Sequence, residues 1–234
     1  MAPFIETLLW AFAMIQPILA LASLFILAAP LPAEASGAQA PVAPAADVPA
    51  KEDLVPVAID TSLGRIVLAL DRGRAPVTTA NFLHYIDTHR FDGESFYRAL
   101  HMPDANGNMG GLIQGGITTN ARKLFPPIKH EPTSLTGLKT VAGSIALANA
   151  GPGTAKADFF ILLSDMPGLD ANGPGGDANG FAAFGHVTEG MEVVKKIFDC
   201  PVSPTKGSGA LKGQMLDPPI RILHAERLKS PARP

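Results

Sequence analysis

Hydrophobic and polar positions change rhythm twice along this chain. Between Thr7 and Ala33 there is no charged residue, and residues 18–29 within that stretch are rich in Leu, Ile, Ala and Phe. Residues 36–54 are rich in Ala and Pro and show no hydrophobic period, the composition of an extended, flexible tether. From residue 55 the pattern becomes that of a packed domain. Residues 55–60 (VPVAID) and 65–70 (RIVLAL) are short apolar or alternating runs around Ser62-Leu63-Gly64, which is a hairpin signature. Residues 95–100, 112–114, 144–148, 159–163 and 181–187 read as further strands, and residues 220–228 alternate as a last one. Ala75-Pro76 opens a helix, because proline is favoured where the missing N–H had no partner anyway. Val77, Ala80, Leu83 and Ile86 recur on it as an apolar stripe. Thr188 is placed to cap a second helix with Met191, Val194, Ile197 and Phe198 on one face. Many short strands with two helices predict an all-β closed sheet with helical covers. Two Gly/Asn/Asp-rich stretches, 103–111 and 170–180, are expected as surface loops that shape a site.

The apolar N-terminal stretch ends in Ala33-Glu34-Ala35 followed by Ser36, a small-x-small pattern that predicts a secretory leader cut after Ala35. Two features favour an uncleaved anchor instead. The segment before the apolar run carries Glu6 and no Lys or Arg, and the uncharged stretch is long enough to span a bilayer. A start at Met14 would give a leader of more ordinary length, with Gln16 and Pro17 interrupting the apolar run. The expected organisation is a leader or anchor over 1–35, a linker over 36–54, a domain over 55–228 and a tail over 229–234. It implies a periplasmic protein or, if the leader is retained, one anchored in the inner membrane and facing the periplasm.

The formal net charge of −2 lacks the basic field that nucleic-acid binding needs. Cys200 is the sole cysteine, so no internal disulfide forms, and a lone thiol reads as an apolar filler. The six histidines are scattered, and none has zinc-ligand spacing to the cysteine. His84 and His89 are wrongly spaced for shared ligation on a helix and are read as solvated. Asp104, Asn106 and Asn108 imitate the start of a calcium loop, but Met109 stands where that loop needs Gly and Gly115 where it needs Glu. Asp170, Asn172 and Asp177 fail in the same way. No phosphate loop or Gly-x-Ser-x-Gly elbow is present.

Six short segments stand out in order: Ala75-Pro76-Val77-Thr78-Thr79-Ala80-Asn81-Phe82, Phe96-Tyr97-Arg98, Leu112-Ile113-Gln114-Gly115-Gly116, Ala148-Asn149-Ala150-Gly151-Pro152, Phe159-Phe160-Ile161, and Phe184-Gly185-His186-Val187 with Glu189-Gly190-Met191. Each alone is weak, but in this order they resemble the cyclophilin family over about Val55 to Leu228. The resemblance implies a closed eight-stranded antiparallel barrel capped by two α-helices. It implies an enzyme, a peptidyl-prolyl cis-trans isomerase, acting on Xaa-Pro bonds in unfolded or loop segments of polypeptides. It implies that no metal or organic cofactor is used, and it implies residue roles. Arg98 matches the family's catalytic arginine and Gln114 the glutamine that orients it. Ala148 and Asn149 match the main-chain clamp on the peptide, Phe160 the floor of the proline pocket, and Leu112 and Leu169 its walls.

Departures from the family pattern qualify this assignment. An insertion containing Asp104-Ala105-Asn106-Gly107-Asn108-Met109 separates Arg98 from Gln114. The family usually has a bulky aromatic where Gly111 falls, and Met109 is the residue expected to fill that space. Asp158 replaces the glutamine before the Phe-Phe pair, where its carboxylate is expected to pair with Arg98 and blunt it. Gly168 replaces a tryptophan, which weakens binding of cyclosporin-type inhibitors. Phe181 replaces a pocket histidine, keeping an apolar wall without the ring nitrogen. Two functions follow for comparison: an isomerase working on exported proteins, or a proline-peptide binding module or chaperone whose turnover Asp158 and the altered loop reduce. A monomer is expected, since no apolar stripe is left over.

Overall fold

The structure is a computed structural model that describes residues 53–229, except 104–106, 108 and 119. The expected leader, nearly all of the linker and the last five residues lie outside the described residues. Among the described residues no helix is long and apolar enough to cross a membrane.

The chain begins as the expected hairpin, with β1 (Leu54–Thr61) and β2 (Gly64–Asp71) antiparallel and Thr61 opposite Gly64. The Thr61 hydroxyl closes the turn, donating to Gly64 O at 2.7 Å and accepting from Leu63 N at 3.1 Å. Then come α1 (Pro76–Asp87), β3 (Ser95–Pro103), β4 (Met109–Gly116), the one-turn α2 (Thr133–Thr136), β5 (Ser144–Leu147), β6 (Phe159–Leu162), β7 (Ala182–Glu189), α3 (Met191–Phe198), the two-residue β8 (Val202–Ser203) and β9 (Met215–Arg227). Hydrogen-bonded neighbours run β1-β2-β7-β5-β6-β4-β3-β9, and β1 pairs with β9 to close the ring. Eight antiparallel strands therefore form a barrel without free edges, and β8 hangs on β9 outside the ring.

The interior is packed with aromatic rings. Phe82 of α1 reaches Phe91 at 5.0 Å, Phe159 at 5.2 Å and Phe184 at 5.2 Å between centroids, the spacing of favourable ring pairs. Helix α1 packs on β2, β7 and β9, and α3 on β2, β3 and β4. Cys200 packs half-buried against the same core, as a filler would.

Four local expectations are corrected. The buried face of α1 is turned from the expected stripe: Val77 and Ala80 are exposed, while Thr78 and Thr79 are buried. Hydrogen bonds decide this, because the Thr78 hydroxyl donates to buried Glu131 at 2.7 Å and that of Thr79 to Asp71 O at 3.1 Å. Thr188 does not cap α3; it lies within β7 and its hydroxyl donates to Val67 O at 3.3 Å. The capping position belongs to Gly190, whose φ of 85° suits glycine, and a Cβ there would meet Arg65 O at 2.3 Å. A third helix, α2, and the strand β8 were not expected. Finally, β3 and β4 reach Pro103 and Met109, which pair, so both ends of the 103–111 stretch are strand, and β9 starts five residues early at Met215.

Candidate functional site

The barrel carries a second, smaller apolar cluster on its outer face. Leu112, Ala146, Phe160, Leu162 and Ala183 are buried there, with Leu100, Leu138, Ala148, Met166, Leu169 and Phe181 packed against them. Strand period explains the division. Phe159 points into the barrel against Phe96 at 5.5 Å, so its neighbour Phe160 must point out, where it meets Phe181 edge-on at 5.2 Å. Pairing puts Gln114 opposite Phe160 and Leu112 opposite Leu162, so the polar and apolar residues of β4 share this face. The 163–181 loop covers its edge. Buried Asp170 accepts from Thr140 N and its hydroxyl, both at 3.0 Å, and Phe181 N donates to Leu169 O at 2.9 Å. That last bond sets the two expected walls, Leu169 and Phe181, side by side.

Beside the apolar cluster lies a polar row. Simple alternation along β3 would bury Arg98, since Phe96 faces the core. The pairing of β3 with both β4 and β9 slips between Phe96 and Arg98, a β-bulge at Tyr97. A bulge resets the alternation and re-aims side chains. Phe96 and Ala99 are fully buried in the core, while Tyr97 and Arg98 both reach the outer face. There Arg98 donates from Nη1 to Gln114 Oε1 at 2.7 Å and from Nε to Gln214 Oε1 at 2.8 Å. Gln114 Nε2 donates to the Tyr97 hydroxyl at 2.7 Å, and that hydroxyl donates to Asp158 Oδ2 at 3.2 Å. Gln214 Nε2 donates to Ala210 O at 2.7 Å, and Gln214 O accepts from Ala99 N at 3.0 Å. The direction of every bond is set by its ends, a guanidinium that can only donate and a carboxylate that accepts.

Asp158 therefore makes no ion pair with Arg98. It reaches that side chain only through Tyr97 and Gln114, because the hydroxyl and the amide stand between them. Burial pushes the Asp158 carboxyl above the usual carboxylate range, while the Tyr97 hydroxyl and the Ile117 N–H pull it back down. Burial also pushes the Tyr97 phenol well up, with the Asp158 charge adding to it. Arg98 is lowered by burial from a value so high that it stays charged at neutral pH. Met109 does not fill the space beside Gly111: it is 64% exposed, and the Phe198 ring approaches instead, 3.3 Å from where a Cβ on Gly111 would sit.

A cavity of about 320 Å³ opens next to the row, lined by Gln114, Ala148, Asn149 and Asp158 among others. The Asn149 side chain accepts from Gly151 N at 2.9 Å, while its Nδ2 is buried without a partner. Among the described residues no main-chain group bonds the N–H or C=O of Asn149. All nine residues expected from the sequence are thus brought together: Arg98, Gln114, Leu112, Ala148, Asn149, Asp158, Phe160, Leu169 and Phe181. Sequence reasoning gave no role to Tyr97 and missed Gln214. Tyr97 adjoins Arg98 in a recognised motif, but no local pattern marks Gln214.

The arrangement is a fixed cationic donor beside an apolar slot, with open main-chain groups along a cavity. Among known proteins, residues 56–227 match the family described as cyclophilin type peptidyl-prolyl cis-trans isomerase/CLD. Peptidyl-prolyl cis-trans isomerase A of Dickeya dadantii is 35% identical over 145 residues, covering 60% of this chain and 70% of that protein. Peptidyl-prolyl cis-trans isomerase B of Escherichia coli is 35% identical over 144 residues, covering 60% of this chain and 82% of that protein. In structure the chain is similar to a Cryptosporidium parvum cyclophilin type isomerase, with a TM-score of 0.59 and 21% identity, covering 76% of this chain and all of that one. A second structure of that isomerase, determined in the presence of the dipeptide Ala-Pro, gives a TM-score of 0.59 at 22% identity, over 75% of this chain and 99% of that one.

Proposed function

Because the chain belongs to the cyclophilin-type peptidyl-prolyl cis-trans isomerase family and is such an isomerase, we propose that Arg98 and Gln114 carry out the rotation and that exported polypeptides are its substrates. The Xaa-Pro bond resists rotation by about 18–20 kcal/mol because the amide is conjugated. Twisting breaks the conjugation and leaves a lone pair on the prolyl nitrogen. A fixed donor beside that nitrogen stabilises the twisted state more than either planar state, which is what lowers a barrier. Arg98 supplies the donor. Its Nε and Nη1 are held by Gln214 and Gln114, and Nη2 has no partner among the described residues. In this reading Phe160, Leu112, Leu169 and Phe181 receive the proline ring. Ala148 and Asn149 lend main-chain groups to the residues before it, as a strand edge does for an extended peptide. The relative's structure with Ala-Pro supports a proline-containing ligand.

The observation that carries the proposal is the bonded row that fixes Arg98 next to the Phe160 cluster. No proton is abstracted and no covalent bond is broken. The binding-module alternative loses the direct Asp158–Arg98 pair, because the Tyr97 hydroxyl and the Gln114 amide stand between those groups, and keeps Gly111 and the altered loop in its favour. The test is an isomerisation assay on a proline peptide with wild type and Arg98→Ala. Acceleration should fall by about tenfold or more, the scale of losing a main electrostatic donor. Equal rates would overturn the role given to Arg98.

Export is supported by the apolar run at residues 18–29 and the Ala33-Glu34-Ala35 site. In the periplasm the enzyme would meet many unfolded chains whose prolyl bonds take tens to hundreds of seconds to isomerise unaided. N-terminal sequencing of the mature chain checks this: a start at Ser36 means a soluble periplasmic form, and retention of residues 18–29 means an anchored one. We read the enzyme as a monomer.

A further inference from the structure

On the barrel wall away from the row just described, His89, Asp92 and His224 converge, with one donor atom from each lying within 4.8 Å of the others. His224 Nδ1 is 2.9 Å from Asp92 Oδ2, and His89 Nδ1 is 3.4 Å from the same oxygen. The two imidazoles stack at 5.5 Å with 21° between their planes. We propose that these three side chains form a binding site for a divalent transition metal ion of the zinc, copper or nickel type.

The geometry favours an ion over a chance meeting of polar groups. Zinc holds nitrogen and carboxylate oxygen at about 2.0–2.2 Å, which puts the ligand atoms of a tetrahedral site roughly 3.3–3.5 Å apart. The His89–Asp92 separation already has that value. The His224–Asp92 contact has hydrogen-bond length and needs to open by a few tenths of an ångström. Asp92 is held for the task, because its other oxygen, Oδ1, accepts from Ala225 N at 3.1 Å. A ligating carboxylate oriented by a second hydrogen bond is the usual support of such sites. His224 is likewise fixed, being part of β9.

His89 adds an independent observation. It lies two residues past the end of α1 with φ at 53°, in the left-handed region, and its N–H donates to Ile86 O at 2.9 Å. Glycine fills such a position at least cost. A histidine there accepts backbone strain and gains a ring stacked on His224. Two neutral imidazoles and one carboxylate suit borderline metals; calcium and magnesium need more oxygen donors than converge here. The site leaves coordination positions open to water, since His89 is 65% exposed and His224 40%. A bound ion would clip the end of α1 to β9.

The experiment is equilibrium dialysis of the chain against Zn²⁺, Cu²⁺ and Ni²⁺ at neutral pH, with His89→Gly, His224→Ala and Asp92→Asn alongside. Wild type should retain one equivalent of ion, and each variant should bind at least about tenfold more weakly, as expected when a ligand is removed. His89→Gly separates ligation from folding. Glycine relieves the backbone strain, so this variant should melt no lower than wild type without metal, yet lose the rise in melting temperature that Zn²⁺ gives wild type. Failure of wild type to retain any of the ions would overturn the proposal. So would unchanged retention in both His89→Gly and His224→Ala, which would place the ion on other histidines.

Discussion

Tyr97→Phe removes one hydroxyl from the middle of the polar row and separates its two sides. The hydroxyl donates to Asp158 Oδ2 at 3.2 Å and accepts from Gln114 Nε2 at 2.7 Å. A hydrogen bond to an ionised group contributes about 1.5–3 kcal/mol and a neutral one about 0.5–1.5 kcal/mol, the long contact to Asp158 belonging at the low end. The expected loss at neutral pH is therefore about 2–3 kcal/mol, much of it because Asp158 is left with no side-chain donor. The loss must depend on pH. Burial sets the folded-state pKa of Asp158 above its unfolded value, so folding takes up a proton and wild type loses stability as pH rises through the folded value. Without the hydroxyl the folded value rises further, so the variant loses more over the same range. The gap between the two proteins is widest above the folded pKa and closes as Asp158 becomes protonated in both. Urea denaturation at a series of pH values measures this, and repeating it with Asp158→Asn completes a double-mutant cycle. In the Asn background Tyr97→Phe should cost about 1–2 kcal/mol, two neutral bonds of which the longer belongs at the low end. Equal losses in both backgrounds, independent of pH, would refute the assignment of a carboxylate–phenol bond. Activity gives a second readout. Gln114 freed from Tyr97 holds Arg98 less firmly, so kcat should fall several-fold while KM for a short proline peptide changes little.

Gln214→Ala leaves Arg98 tethered only through Nη1, and losing a part-buried bond to a charged group should lower kcat/KM about fivefold, or roughly 1 kcal/mol; a normal rate would make Gln214 a bystander. Gly111→Ala should destabilise by about 2 kcal/mol or more, because φ there is 137° and a Cβ would sit 1.8 Å from Leu100 O. Thermal melting reads the loss, and an unchanged melting temperature would refute the strain argument.

Much of this fold is legible because its signals are local. The VPVAID and RIVLAL runs each carry their own alternation and turn, and β1 and β2 follow them closely. Most site residues are legible for a different reason: Arg98, Leu112, Gln114, Ala148, Asn149 and Phe160 fall inside short motifs of fixed order. What the sequence hides depends on contacts distant along the chain. Gln214 meets Arg98 from 116 residues away, and His224 meets Asp92 from 132. The buried face of α1 is hidden too, since Glu131 turns Thr78 inward against what hydrophobicity favours. The expected Asp158–Arg98 pair failed on orientation, because charge signs say which groups attract and not what stands between them.

The bulge at Tyr97 shows why alternation alone was bound to mislead where the chemistry is concentrated. A regular strand offers every second side chain to one face, so it cannot present adjacent residues there. This site needs both: Arg98 as the donor, and Tyr97 as the link that ties Gln114 to Asp158. One extra residue in β3 resolves the conflict, and Phe96 and Ala99 stay in the core on either side. The strand thus keeps its packing on one face while changing its period on the other. The break in pattern is what brings Tyr97 and Arg98 side by side next to Phe160; deleting Tyr97 would restore plain alternation with Phe96 and Ala99 inward and Arg98 outward, but would remove the link that ties Gln114 to Asp158.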